Sequence, residues 1–151
     1  MILVSACLLG LDCRYDGSNV LNRELMDFLK GKEYTVVCPE QLGGLTTPRK
    51  PCEIVGGDGS SVLEGISKVV DNQGRDVSKQ FIKGAEETLK IIKLYNIKTA
   101  ILKSGSPSCG SINIHDGSFS GKLIRGKGVT TALLEQNSIV VLTEKNYMKH
   151  I

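Results

Sequence analysis

A chain of 151 residues is long enough for one domain with a real apolar core and too short for two comfortable ones. Its net charge of +3 is mild and its lysines are spread along the chain, which argues against nucleic-acid binding, while its ordinary apolar content argues against disorder. No apolar stretch is long enough to cross a bilayer.

The opening MILVSACLLG lacks a basic leader and runs straight into Asp12 and Arg14. It reads as a strand and not as a signal peptide, so a cytoplasmic protein is expected. Ile2 to Ala6 form a continuous apolar run, as in a strand buried on both faces, and Cys7 follows at its carboxyl end. LLGLDCRYDGSN then reads as a loop punctuated by glycine and aspartate. NRELMDFLKGK predicts a short helix, capped by Asn22 and ended by Gly31. YTVVCPE is a second β-branched strand that ends in a cysteine, Cys38, with Pro39 closing it. QLGGLTTPRKP, with two glycines and two prolines, reads as irregular loop. EIVGGDGSSVLEG and SKVVDNQGRDVS read as short strands, the second turning at Asn72 to Gly74. GGDGSS has the look of a phosphate loop but lacks the lysine and a clear following helix, and is discounted.

The longest helix is predicted from Asp76 or Ser78 to about Tyr95, where Phe81, Ile82, Ala85, Leu89 and Ile92 recur as one apolar stripe. KTAILKS is a third strand, and it runs into KSGSPSCG, a tight loop that presents Cys109. SINIHDGSFSGKL alternates around Asp116 and Gly117 as a hairpin excursion. GVTTALLEQNS predicts a helix, IVVLT a fourth buried strand, and EKNYMKH a short terminal helix. Strands that alternate with helices predict an α/β fold. The expectation is a single Rossmann-like three-layer domain over 1–151, with a mainly parallel sheet of four to five strands and a small β excursion.

Ligands of such sheets bind outside the carboxyl ends of the strands. Cys7, Cys38 and Cys109 each follow a predicted strand, so their thiols are expected to face one crevice. Five cysteines, an odd number without a secretion signal, do not suggest a disulfide framework. Three convergent thiolates suit a soft metal, either zinc or an iron–sulfur cluster, and with no CxxC pair the spacings do not choose. Three ligands leave one coordination position open for substrate or water. Cys13, six residues after Cys7, would close the site as a fourth ligand. Glu40, two residues beyond Cys38, is a candidate general acid or base, or else a solvated loop residue. Ser104, Ser106 and Ser108 are normal turn residues. Lys103 and Arg49 bring positive charge toward the thiols, and His115 and His150 read as solvated.

Four motifs, SACLLGLDCRYDGSN, CPEQLGGLTTPR, KSGSPSCG and GKGVTTALL, occur in this order and fill most of the chain. Together they closely resemble a bacterial family known as domain of unknown function 523. Its characterised members are thiouracil desulfidases whose 4Fe-4S cluster is held by three cysteines, leaving the fourth iron free for the substrate's sulfur. The resemblance implies Cys7, Cys38 and Cys109 as cluster ligands, and Glu40 and Ser106 as catalytic residues. It argues against Cys13 as an obligatory ligand and makes Cys52 a bystander. The implied reaction is a non-redox desulfuration of a thiolated pyrimidine, thiouracil or a thiouridine nucleotide, to the oxo form. The free iron would act as Lewis acid, Glu40 would activate water or shuttle its proton, Ser106 would orient them, and hydrosulfide would leave. The implied partner is a small thiolated base or nucleotide, with neither nucleic acid nor membrane. Rival readings are a non-catalytic cluster or zinc protein with a closed four-cysteine site, and a binding module that keeps the fold alone.

Overall fold

The computed structural model describes residues 1–151. Its elements in chain order are β1 (Ile2–Ser5), α1 (Arg23–Leu29), β2 (Tyr34–Val37), α2 (Pro39–Leu42), β3 (Cys52–Val55), α3 (Gly59–Leu63) and β4 (Lys68–Asp71). There follow α4 (Ser78–Leu94), β5 (Thr99–Leu102), β6 (Asn113–His115), β7 (Leu123–Arg125), α5 (Val129–Gln136) and β8 (Val140–Thr143). Short 3₁₀ turns occupy Ala6–Leu9 and Tyr147–Lys149.

Four strands form one parallel sheet in the order β2-β1-β5-β8, with Val4 of β1 set beside Val36 on one flank and Ile101 on the other. Two antiparallel pairs, β3–β4 and β6–β7, lie outside it. The expected α/β architecture with a mainly parallel sheet is therefore present, at four strands. Successive residues of a strand point to opposite faces, and the core divides accordingly. Val4, Ile101 and Leu142 pack with Leu25 and Leu29 of α1 and with Tyr147. Leu3, Ala100 and Leu102 pack with Ile92 of α4 and Leu134 of α5. Helices thus cover both faces, and the sheet is the middle of three layers.

Two helices fall where none is expected. Pro39, read as the end of a strand, is the first residue of α2, where its fixed φ and missing N–H cost nothing. The second half of EIVGGDGSSVLEG is not strand but α3. Asp58 caps it, accepting from the N–H groups of Ser60 (3.0 Å) and Ser61 (3.4 Å), while Ser61 Oγ accepts the Asp58 N–H (3.0 Å). GGDGSS thus runs into a helix after all, its last three residues opening α3, though that helix has five residues and still lacks the lysine. The hairpin β6–β7 is joined by a loop of residues 116–122, longer than a turn at Asp116 and Gly117 alone.

The stripe on α4 buries Phe81, Ala85, Thr88 and Ile92, and carries a gap at Gly84. A Cβ at Gly84 would stand 2.0 Å from the Pro39 carbonyl oxygen, and one at Gly43 would stand 1.9 Å from that of Gln80. The backbone of α2 therefore lies directly on the backbone of α4. That contact fixes the segment that carries Glu40.

The strand order also locates the binding crevice. From β1 the chain moves to β2 on one side and later returns to β5 on the other. The carboxyl ends of β1 and β5 thus flank the point where the order reverses, the usual ligand position in such sheets.

Candidate active site

A cavity of about 520 Å³ opens at that point, within the range of small-molecule sites. Cys7, Cys38 and Cys109 all line it, as do Glu40 and Ser106. The cavity gathers every cysteine of the chain, because Cys13 and Cys52 lie on its wall as well. The thiols surround a space and do not close on a point: no three His, Cys, Asp or Glu side chains stand close enough together to hold a single ion.

Each thiol is placed by its strand end. Cys7 sits on the 3₁₀ turn after β1, and Cys38 is the residue between β2 and α2. Cys38 Sγ donates to the Cys13 carbonyl at 3.7 Å, tying the β2 end to the Cys13 loop. Cys109 is the most enclosed in its polar contacts. Ser5, at the end of β1, donates from Oγ to Cys109 Sγ (3.6 Å) and accepts the Lys103 N–H (2.9 Å), so one hydroxyl spans the crevice between β1 and β5. Burial pushes the Cys109 thiol up to about 12, against the lowering hydrogen bond of Ser5. Its contact with Cys13, together with burial, also raises Cys38. Burial pushes Cys52 up to about 12. A coordinated metal reverses this, since a bound thiol gives up its proton.

The loop KSGSPSCG is held from two sides. The first turn of α5 has N–H groups without partners inside the helix, and they donate to the loop. Val129 N bonds the Pro107 carbonyl (2.8 Å), and Thr130 N and Thr131 N bond that of Ser108 (2.9 and 3.2 Å). Thr131 Oγ1 adds a bond to the Cys109 carbonyl at 2.8 Å. Gly128 permits the approach, since a Cβ there would stand 2.5 Å from the Ser108 carbonyl. This accounts for the motif GKGVTTALL. On the other side Glu144, after β8, accepts from Ser104 N (2.9 Å) and Ser104 Oγ (2.6 Å) and pairs with Lys103 at 3.3 Å.

Glu40 is not a solvated loop residue. Its Oε1 accepts from Arg49 Nε at 3.0 Å and its Oε2 from Ser108 Oγ at 2.9 Å. The two side chains of the ion pair are only 15% and 7% exposed, Glu40 first. Arg49 also donates to Thr47 Oγ1 (2.9 Å) and to the Cys13 carbonyl (2.8 Å), so one guanidinium joins three segments. Ser106 does not touch Glu40. Its Oγ accepts from Ser108 N (3.1 Å) and Cys109 N (3.0 Å) and lies 2.8 Å from Ser108 Oγ. Each hydroxyl has one hydrogen. With that of Ser108 directed to Glu40, the hydrogen of Ser106 is left for Ser108, and the line runs Ser106 to Ser108 to Glu40.

Sequence reasoning missed Ser108, Ser5 and Thr131, and left Arg49 as diffuse positive charge. Their partners stand 68, 104, 22 and 9 residues away, so no local pattern exposes them. His115, expected in solvent, is half-buried on the cavity wall, and its Nδ1 is buried without a partner. His150 is exposed, as expected.

The model of the 2-thiouracil desulfurase family matches residues 2–146. The Bacillus subtilis protein YbbK, described as uncharacterized, is 48% identical over 144 residues, which are 95% of each chain. A solved structure, the 4Fe-4S-dependent thiouracil desulfidase TudS, superposes with a TM-score of 0.85 at 41% identity, over 98% of this chain and 93% of its own.

Proposed function

This chain belongs to the 2-thiouracil desulfurase family, and from that premise we propose that it is an enzyme that cleaves the carbon–sulfur bond of a thiolated pyrimidine with the help of a 4Fe-4S cluster. One observation carries the reading. The thiols at the carboxyl ends of three adjacent parallel strands line one cavity with a carboxylate that is fixed at both oxygens. The residues present fit such a cluster, because soft thiols spread round a space of this size suit a cubane better than a single zinc ion. Cys7, Cys38 and Cys109 would hold it. The bound cluster supplies a Lewis-acidic iron that polarises a thiocarbonyl sulfur.

The protein supplies water activation and proton handling. Glu40 takes a proton from the attacking water, and Arg49 keeps the carboxylate aimed by holding its other oxygen. A carbon–oxygen bond forms as the carbon–sulfur bond breaks, the proton on Glu40 passes to the departing sulfur, and the second proton of the water leaves the new oxygen for solvent. The products are the oxo pyrimidine and hydrosulfide, with no change in oxidation state. Ser108 holds Glu40 directly, and Ser106 works through Ser108 while its lone pairs brace the Cys109 loop. The substrate is a free thiouracil or a thiouridine nucleotide.

The test is anaerobic reconstitution with iron and sulfide, followed by sulfide release from 2-thiouracil and from thiouridine nucleotides. Release with formation of the oxo base is expected. A fully loaded cluster that frees no sulfide from any of these compounds would overturn the reading.

A further inference from the structure

We propose that Cys13 is a displaceable fourth ligand, whose thiolate caps the open iron of the resting enzyme and yields it to the thiolated substrate. The proposal rests on the reading that Cys7, Cys38 and Cys109 hold the cluster. Cys13 is only 4% exposed and lies on the cavity wall. It packs in one apolar cluster with Cys7 and Cys38, and its carbonyl accepts from Cys38 Sγ at 3.7 Å. Two of the three assigned ligands therefore already have a fourth sulfur beside them. Cys52 differs: it packs with another cluster, and its Sγ turns to the Lys50 carbonyl at 3.4 Å.

The Cys13 segment is positioned but not locked. It lies in the loop between the first 3₁₀ turn and α1, outside any helix or sheet ladder. Cys13 N donates to the Leu11 carbonyl (2.9 Å), and its own carbonyl accepts from Cys38 Sγ and from Arg49 Nη2. Arg49 is also the residue that aims Glu40. The backbone of the cap and the proton-handling carboxylate thus share one clamp. A soft thiolate suits an otherwise open iron. When the Cys13 sulfur binds, its S–H bond breaks and the proton goes to solvent. When substrate sulfur arrives, the iron–Cys13 bond breaks and the thiolate takes a proton back. No electron is transferred.

The experiment compares reconstituted wild type with Cys13→Ser and Cys13→Ala, all anaerobic. Iron content and the visible spectrum establish that each holds a cluster. Ferricyanide is then added, and loss of the open iron is followed by the electron paramagnetic resonance of the resulting 3Fe-4S form. Both variants should lose that iron about 10- to 100-fold faster than wild type, the span that removal of a supporting ligand group costs in metal affinity. Because the cap competes with substrate, both should also bind 2-thiouracil more tightly, read from the shift of the cluster spectrum. Equal rates and equal affinities would overturn the cap while leaving the three-cysteine cluster standing. Variants that hold no cluster would overturn it too, by making Cys13 a permanent ligand. A wild type that assembles no cluster would remove the reading beneath both.

Discussion

On the wall of the cavity that carries Cys109, the main-chain carbonyls of the loop are held by the start of α5, whereas on the other wall the carboxylate of Glu40 is held through side chains. On the first, the carbonyls of Pro107, Ser108 and Cys109 are all taken by the start of α5. On the second, Arg49 ties together Glu40, Thr47 and the Cys13 carbonyl. Main-chain bonds survive most substitutions and give a ligand a fixed place. A side-chain clamp can be released by one substitution, and here it holds the group proposed to exchange protons. The difference teaches that cluster binding and proton handling can be lost separately.

Four substitutions break or sharpen that division. Cys109→Ser removes a proposed ligand from the first wall, so reconstituted iron and sulfide release should both fall to background, read from iron analysis and the visible spectrum. Glu40→Gln keeps the size of the side chain on the clamped wall but replaces one accepting oxygen with a donating NH2 and removes the charge. Iron should stay, and turnover should drop about 100- to 10,000-fold, the usual worth of positioned acid–base catalysis. A fall in iron in step with rate would merge the two walls.

Arg49→Lys keeps the charge but loses the fork. It should lower stability in urea by about 1 to 3 kcal/mol, through the Cys13 carbonyl and Thr47 hydroxyl left unpaired. Turnover should fall while iron is retained. The smallest effect concerns acid. Burial raises the Glu144 carboxyl, but the Ser104 bonds and Lys103 outweigh it and hold the group below the ordinary glutamate value. A folded pKa below the unfolded one gives stability that is complete above the unfolded value and is lost as pH falls through the folded one. Wild type should therefore weaken as pH drops below about 4.3, the ordinary glutamate value, and Glu144→Gln should flatten that limb of the stability profile. An unchanged acid limb would show that Glu144 does not hold the Ser104 end of the loop.

The same two walls differed in how far the chain revealed them. β1, β2 and β5 are runs dominated by β-branched and aliphatic residues, so their ends, and the thiols after them, could be placed from pattern alone. The long stripe of α4 was equally plain. The one-turn helix α2 and the five-residue α3 are shorter than two helical periods, so they leave no periodic pattern to read. For α3 the capping pair Asp58 and Ser61 was the available signal. Ser106 was reached by resemblance, while its neighbour Ser108, which touches Glu40, was not, because a hydroxyl in a turn looks alike whichever way it faces. Arg49 shows the same limit, since its meaning lies in partners brought near only by folding.

The paired notches at Gly43 and Gly84 carry one more consequence. Where two helices meet through side chains, a misfit is absorbed by rotamers, each side chain acting as a spring. Here main chain meets main chain, with a Pro39 carbonyl facing the place where a methyl group would be. There is no spring at this joint. A single methyl group at position 84, on a helix that contributes nothing to the cavity lining, would be converted whole into displacement of α2 and so of the carboxylate one residue beyond Pro39. The rate of the reaction is thereby mechanically wired to the far layer of the fold, and α4 is as much a part of the setting of Glu40 as the arginine that touches it.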